Sequence, residues 1–454
     1  MILLSFFPEL LIGCSLLFSL FMAVFAIHSR GFLPVAASIA ALSGLGYFFM
    51  RPDLSFFDGA EAMVLSDSFS FFLRVLSLLI LGCFSLSVFF HGNLSLKEKQ
   101  RSVVFLHLFA LFLCGIALSQ NLVMFLASSL GMYFCAVNLV LTESSGAQSW
   151  IRLFRRKSVW VGAWAMLMTF LFVVSSHVLH SIRFSDWSGA LKESSLGELS
   201  QASLVLLVLI CGLMPYASSR FIGKAPMGLA VLSFGTLVLT LSFWIRIGVP
   251  LLGSYSGVSK DFSRHFLGAA VAVLVLRSAY DSIRTRDHHT WLSSIYPVLS
   301  GLVLFSILLP GEHSVSSIFI LTLGTLFTCT LVSHAFQESE YRNKALVLIS
   351  LVAVPGAPPL VMADRYYQMI SELLNVANPI SAVGVAIVWL MLLLASIQII
   401  GKIIRIRVSK ENQRPFTFGE GFFLAFYLVG VVTLSALRPQ LLSVLNRHPP
   451  LNLW

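Results

Sequence analysis

Charged residues are scarce in this sequence. Only 11% of its 454 residues are Asp, Glu, Lys or Arg, whereas 57% are hydrophobic and the mean hydropathy is +0.89. A soluble protein of this length could not hide so much apolar surface, so a lipid bilayer has to serve as its solvent. The lack of a basic soluble domain also excludes nucleic-acid binding as the reason for the net charge of +10.

Sequence patterns for metals and redox cofactors are also missing. There is no GxGxxG, no CxxC and no cluster of Cys and His, so we expect no flavin, nicotinamide, Fe–S cluster or metal in this chain. The N-terminal segment lacks a positive n-region and an A-x-A cleavage site, which predicts a first membrane span rather than a removable signal. The cysteines stand singly in apolar segments: Cys14, Cys83, Cys114, Cys135, Cys211 and Cys329.

Fourteen apolar runs are long enough to cross a bilayer, which requires roughly 20 apolar residues in a helix. No soluble domain separates them, and the longest polar interval, residues 179–201, is typical of a surface loop. The predicted spans are 3–27, 31–50, 67–90, 103–119, 121–142, 158–178, 202–219, 226–250, 264–283, 290–309, 314–336, 344–374, 377–401 and 418–444.

The basic residues orient these spans. If the N-terminus lies outside, the inner loops hold most of the 30 Lys and Arg residues, including the runs at 152–157 and 402–414. The acidic stretch 53–67 then lies outside, which is permitted because the positive-inside rule counts Lys and Arg. The pattern predicts an all-α polytopic membrane protein of about 14 transmembrane helices with both termini outside.

Span 12 contains prolines followed by charge. Pro355, Pro358 and Pro359 remove backbone donors and clash with preceding carbonyls, so we expect two half-helices around them. Asp364 and Arg365 follow Pro359 after four intervening residues. One interpretation makes them a protonatable or ion-pairing station on a hydrophilic path. The other ends the span near Pro359 and leaves the two residues as an interfacial pair.

Three further residues are candidates for a proton path, each with a structural alternative. Arg246 ends span 8 after a tryptophan, where a snorkelling arginine is common. His107 in span 4 could relay protons near neutral pH, or be a hydrogen-bonded core residue. Lys157 closes a basic run at the start of span 6, where it could simply set the topology.

The remaining charges inside spans favour structural pairing. Arg74 in span 3 is expected to pair with a neighbour, and Arg277 and Asp281 share a face of span 9 at a spacing of four. Pro215 marks a second candidate helix break, in span 7. Breaks in spans 7 and 12 are five spans apart, a spacing typical of transporters built from two five-helix halves.

At several places the chain resembles the antiporter-like membrane subunits of NADH:quinone oxidoreductase (complex I), in particular subunit N, or NADH dehydrogenase subunit 2. The family's span 12 reads roughly S-L-x-G-x-P-P, and SLVAVPGAPP at 350–359 is similar to it. Weaker matches cover the rest of the chain: Lys157-Ser158-Val159-Trp160-Val161-Gly162-Ala163, Gly223-Lys224-Ala225-Pro226, Arg246, Leu292-Ser293-Ser294-Ile295 and Arg438-Pro439-Gln440-Leu441-Leu442.

The chain departs from the family at the charged residues. The family's Glu of span 5 is replaced by Ser129 or Leu130, and its Lys of span 7 by Pro215 or Tyr216. Its Lys of span 8 falls near Val238. Its Lys of span 12 falls at Arg365 or Tyr366, and of the usual Glu and Lys residues only Lys157 clearly remains. Because arginine does not release protons readily, the subunit either uses a changed proton route or only scaffolds.

The resemblance implies an antiporter-like fold with two inverted five-helix repeats and discontinuous helices. It divides the chain into an N-terminal three-helix segment at 1–92, repeats at 93–252 and 253–410, and a C-terminal helix at 411–454. It implies a membrane-arm subunit of complex I that contributes to, or scaffolds, proton translocation coupled to quinone reduction, beside other membrane-arm subunits and lipids. Flavin, Fe–S clusters and quinone would belong to those partners.

Two other functions remain open from the sequence: a subunit of a cation/proton antiporter or other secondary transporter, and a structural protein of another membrane assembly. The expected location is an energy-transducing membrane. The loss of charged residues favours the mitochondrial inner membrane over a bacterial cytoplasmic membrane, because it suggests a lineage rich in supporting partners.

Overall fold

The computed structural model is almost entirely helical, as predicted. Its helices belong to two compact units: unit 1 comprises Met1–Ser218 and Val238–Val258, and unit 2 comprises Ser219–Leu237 and Ser259–Trp454. The structure describes residues 6–24, 32–50, 57–58, 65–91, 94–143, 147–178, 183–184, 186–187, 198–217, 225–254, 260–285, 288–309, 311–336, 344–356, 361–376, 378–405 and 418–436.

Unit 1 contains the first seven helices and an antiparallel pair of two-residue strands, β1 (Phe57–Asp58) and β2 (Leu65–Ser66). Neighbours in sequence from α1 to α7 pack against each other, and α1 also packs against α4. The helices are α1 (Phe7–Val24), α2 (Phe32–Met50), α3 (Ser68–Phe90), α4 (Leu96–Leu118), α5 (Leu122–Glu143), α6 (Ala147–Val178) and α7 (Glu198–Ala217).

Helix α8 (Pro226–Phe243) contributes residues to both units. It continues into a π-helical turn, Trp244–Gly248, and the short helix α9 (Val249–Ser254). Such a turn widens the helix locally and is often found at functional sites.

Unit 2 contains the remaining helices. Helix α10 packs against α11 and α15, and α12 packs against α16. The helices are α10 (Lys260–Arg284), α11 (His288–Leu304, followed by a 3₁₀ turn at Phe305–Leu308), α12 (Gly311–Ala335), α13 (Lys344–Ala353), α14 (Val361–Asn375), α15 (Pro379–Arg405) and α16 (Phe418–Ala436).

Local capping explains where two of the membrane helices begin. Asp67 precedes α3 and accepts a hydrogen bond from the Ser70 backbone N–H at 2.7 Å. Ser95 and Glu98 form a capping box at the start of α4, in which the Glu98 carboxylate accepts from the Ser95 N–H at 2.8 Å. These side chains satisfy backbone donors that the first helical turn leaves without partners.

The predicted spans correspond to the observed helices. Within the described residues, nine helical stretches are long and apolar enough to cross a membrane, and five shorter apolar helices account for α1, α2, α7, α13 and α16. Span 12 is the exception, because it consists of α13 and the more polar α14. The prediction of an all-α polytopic membrane protein is confirmed, whereas the division into repeats at 93–252 and 253–410 stays a prediction.

Candidate functional site

Span 12 is interrupted by a tight turn after α13. The Gly356 N–H donates to the Ala353 carbonyl at 2.9 Å, and Gly356 has a φ of +65°. A Cβ added at this position would lie 2.5 Å from Met362 Cβ, so the turn requires glycine. Pro355 is buried in the turn, while Pro358 and Pro359 lie outside the described residues. Span 12 is therefore two helices, as the prolines predict.

An indole satisfies part of the backbone that this break frees. Trp389 of α15 donates its Nε1–H to the Pro355 carbonyl at 2.9 Å, and its ring centroid lies 6.0 Å from that of Tyr366. A buried carbonyl without a donor would be costly. At this carbonyl, protein rather than an aqueous cavity supplies the donor.

Asp364 and Arg365 do not form the direct ion pair that the sequence suggests. Gln368 lies between them: Arg365 Nη1 donates to Gln368 Oε1 at 2.8 Å, and Gln368 Nε2 donates to Asp364 Oδ2 at 2.8 Å. Asp364 is exposed and Arg365 is buried. The reason is helical geometry, because adjacent residues point in different directions while residues three and four apart meet.

Arg246 lies in the π-helical turn and binds the end of another helix of unit 1. Its Nη1 donates to the Ser119 carbonyl and its Nη2 to the Ala117 carbonyl, while Nη2 also lies 2.6 Å from Ser70 Oγ and 3.8 Å from Asp67 Oδ1. These carbonyls belong to the C-terminal end of α4, where a cation stabilises the helix dipole. Arg246 thus caps α4, which is a structural role.

His107 is buried and fully hydrogen-bonded. Its Nδ1 lies 2.8 Å from the Val103 carbonyl and its Nε2 lies 2.8 Å from Ser15 Oγ. Because the carbonyl can only accept, Nδ1 carries a proton, and the Ser15 hydroxyl can donate to Nε2 of the neutral ring. This arrangement agrees with the core interpretation of His107 and connects α4 to α1.

Pro215 does not break span 7 where the sequence suggested. Helix α7 runs through it and ends two residues later at Ala217. The missing proline N–H leaves the Cys211 carbonyl, four residues earlier, without its helical donor. Trp164 of α6 donates its Nε1–H to that carbonyl at 3.0 Å. The expected break at Pro215 is therefore wrong, because a neighbouring indole replaces the lost hydrogen bond.

Lys157 lies within α6, ten residues after its first residue, Ala147. This helix has 32 residues and begins well before the predicted span 158–178. The Lys157 side chain lies outside the described part of the chain. Its role in a proton path stays a prediction.

Unit 1 contains an ion pair that sequence reasoning found only in part. Arg74 is fully buried and pairs with Glu9 through two hydrogen bonds, Nε to Oε1 at 2.5 Å and Nη2 to Oε2 at 2.8 Å. The expectation that Arg74 pairs structurally is confirmed. Glu9 was not identified as its partner, although an acid inside the first apolar run was a usable signal.

The predicted pair in span 9 is not formed. Arg277 is exposed on α10, and it has no hydrogen bond or ion pair to Asp281 or to any other described residue. The spacing of four allows contact but does not require it, since a single helical pair is worth only about 0.2–0.5 kcal/mol.

Hydroxyl groups make up most of the buried polar side chains in unit 2. Ser233 of α8 and Ser300 of α11 share a hydrogen bond of 2.9 Å between their Oγ atoms. Others donate to carbonyls of their own helix, such as Thr328 to Gly324 at 2.8 Å. Hydroxyls bonded in this way hold local structure, and they do not titrate near neutral pH.

The described residues contain no group of three candidate metal ligands. The six cysteines form no disulfide, and no three His, Cys, Asp or Glu side chains of the described chain converge as ligands would. The expectation that flavin, Fe–S clusters and quinone belong to partner subunits stays a prediction.

No protein-family model matches this chain, and no curated protein does either. Solved structures match over nearly its full length. A chain of respiratory complex I from Thermus thermophilus with bound aureothin has a TM-score of 0.71 and 12% identity, covering 95% of this chain and 96% of that one. A chain of the membrane-bound sulfane sulfur reductase, an archaeal respiratory membrane complex, has a TM-score of 0.74 and 10% identity, covering 98% and 97%.

A chain of the Mrp complex from Dietzia sp. DQ12-45-1b also matches, with a TM-score of 0.71 and 13% identity. The match covers all of this chain but 53% of the Mrp chain. Identities this low show the fold alone. The chain has the antiporter-like fold found in membrane subunits of these multi-subunit complexes.

Proposed function

We propose that this chain is a membrane-arm subunit of a complex I-type respiratory assembly, in which it scaffolds the proton-translocating partners rather than carrying protons itself. The fold and its full-length match to a complex I chain support the assembly. The scarcity of titratable groups inside the helices, and the structural bonds of the arginines there, support the scaffolding role. The chain alone would catalyse no redox reaction.

The observation that carries the scaffolding role is the distribution of titratable groups. Helices α8 and α11 contain no Asp, Glu or Lys, and in α5 and α12 these residue types occur only at the ends, as Glu143 and Glu312. A proton relay needs groups that bind and release protons within the span. Such groups are missing from the interior of these four helices.

Three of the charged groups inside described spans are held by structural partners, and Arg277 is the exception. Arg74 pairs with Glu9, and Arg246 caps α4. Arg365, which stands near the family's span 12 lysine, is buried and bonded to Gln368. Arginine keeps its proton throughout the physiological range, so it can fix charge but not pass protons on.

Purification of the tagged chain from its native membrane tests the assembly. We expect it to co-migrate on a native gel with other subunits and with NADH:quinone oxidoreductase activity.

Purified assembly reconstituted into vesicles then tests the scaffolding role. Arg365→Leu and Lys157→Ala should leave the number of protons moved per electron unchanged, and a reduced ratio with normal assembly would show that this chain carries protons.

A cation/proton antiporter subunit is the second candidate, favoured by the match of the whole chain to an Mrp chain. It predicts a purified assembly that exchanges a cation for protons across vesicle membranes and lacks quinone reductase activity.

The location stays part of this proposal: we expect an energy-transducing membrane, and the mitochondrial inner membrane rather than a bacterial cytoplasmic membrane. Fractionation of the source cells tests it.

A further inference from the structure

Arg277 differs from three arginines that also lie inside described spans. Arg74, Arg246 and Arg365 are each turned into the chain and bonded there. Arg277 is exposed on the outer face of α10 and bonds to no described residue. A charge on a membrane-facing surface is costly, so it needs an opposite charge or a route to water.

The position of Arg277 along α10 makes a route to water unfavourable. Its Cα lies about 10 Å along the helix axis from Arg284 at the C-terminal end and about 25 Å from Lys260 at the N-terminal end. Side chains in a helix tilt toward its N-terminus. A side chain with this tilt points away from the nearer end and toward the middle of the span, which makes a headgroup harder for Arg277 to reach.

The surface around Arg277 is a continuous stripe along α10. The exposed residues Phe266, Val273, Arg277, Tyr280 and Arg284 follow one another at the spacing of a single helix face. The opposite face of α10 packs on α11 and α15. The outer stripe is thus apolar except for Arg277 near its middle and Arg284 at its end, and the partly exposed Asp281 lies beside it without pairing to Arg277.

We propose that this stripe of α10 is the docking surface for a transmembrane helix of a partner subunit, which carries an Asp or Glu at the depth of Arg277. The charge of the stripe fits a carboxylate, and the depth fits an intramembrane helix better than a lipid phosphate. Burial of the arginine between two helices removes it from lipid and gives the contact a fixed register. A partner helix at this stripe requires a membrane-spanning chain within a multi-subunit assembly, and both proposed functions supply one.

Photo-crosslinking in the native assembly tests which molecule lies against the stripe. A photoreactive benzoylphenylalanine at position 280 should form an adduct with a transmembrane peptide of another subunit, and that peptide should contain an Asp or Glu. An adduct with lipid alone, or with a segment of this same chain, would overturn the proposal. Mass spectrometry of the adduct distinguishes these outcomes.

Charge variants test whether the contact depends on Arg277. Arg277→Gln should weaken retention of the crosslinked subunit by about thirtyfold or more, as expected when one partner of a buried charge pair is lost. Arg277→Lys should retain the subunit, and Arg284→Gln on the same stripe should have no effect. Arg277→Glu should be rescued when the partner's carboxylate is changed to arginine. Equal retention by all variants would contradict the proposal.

The isolated full chain supplies an independent readout. Because Arg277 bonds to no described residue, Arg277→Gln should leave the melting temperature of the purified chain unchanged or raise it. A lower melting temperature of the isolated chain would mean that Arg277 stabilises the chain itself, and the assignment to a partner would be wrong.

Discussion

Trp389 donates its indole N–H to the Pro355 carbonyl at 2.9 Å, and so connects α15 to the turn that interrupts span 12. In unit 1, Trp164 makes the same kind of bond to the Cys211 carbonyl at 3.0 Å, beside Pro215. In both cases an indole replaces a donor at a carbonyl near a proline. Prolines within membrane helices are tolerated when neighbouring groups satisfy the freed backbone in this way.

The first prediction concerns this indole. Trp389→Phe should lower the stability of the purified chain by about 1–3 kcal/mol, because the buried Pro355 carbonyl loses its donor while most of the aromatic packing remains. Thermal unfolding in detergent measures the effect. Trp160→Phe on the exposed face of α6 is the matched control, since Trp160 is 51% exposed. Equal melting temperatures for both variants would show that the bond contributes nothing.

Glycine at the turn gives the second prediction. Gly356→Ala should strongly reduce the yield of folded protein, because alanine at a φ of +65° is strained and its Cβ would collide with Met362. Gly401→Ala within α15 is the control. A Cβ at Gly401 meets no atom within 4 Å, so alanine there should stabilise the helix by about 0.5–1 kcal/mol. Fluorescence-detected size-exclusion chromatography measures the yield of folded protein for both variants. A normal yield of Gly356→Ala would contradict the requirement for glycine at this turn.

The buried ion pair of unit 1 gives the third prediction. Arg74→Leu alone should destabilise the chain by about 3–5 kcal/mol, because the Glu9 carboxylate loses the partner that makes its burial tolerable. Glu9→Gln should be destabilising as well. The double variant should be much less destabilised than the sum of the single variants, since neither charge remains. A double-mutant cycle of melting temperatures tests this, and additive effects would mean that the two groups do not interact.

The cap on α4 gives the fourth prediction. Arg246→Leu should destabilise the last turn of α4, because the Ala117 and Ser119 carbonyls lose their donors. Hydrogen exchange of α4 amides should rise there and stay unchanged in its first turn, which the Ser95 capping box holds independently. If Arg246 instead served in a proton path, the variant would lower proton transport without altering exchange in α4.

The sequence predicts the membrane helices well because their signal is local. Apolar run length and proline position depend on neighbouring residues alone, and they located the spans and the interruption after Ala353. Pro215 shows the limit of this approach, since its effect depends on Trp164, which lies 51 residues earlier in the chain. Whether a proline ends a helix depends on a distant donor that no local pattern reveals.

The site was less predictable, because its contacts are long-range. Glu9 and Arg74 are separated by 65 positions in the sequence. The carbonyls of Ser119 and Ala117 lie 127 and 129 positions before Arg246, which binds them. The predicted direct ion pair between Asp364 and Arg365 does not form for a simpler reason: adjacent residues of a helix do not face each other. Intramembrane charges could therefore be located from the sequence, but the groups that bind them could not.

The shortness of α13 has a consequence for biogenesis. Its ten residues rise about 15 Å, roughly half the thickness of a hydrocarbon core, and the helix that follows carries Asp364, Arg365 and Glu372. Neither piece is apolar and long enough to leave the translocon alone as a stable segment. We therefore expect this part of the polypeptide to become stable in the bilayer only when helices that pack against it, such as α12 and α15, have also inserted.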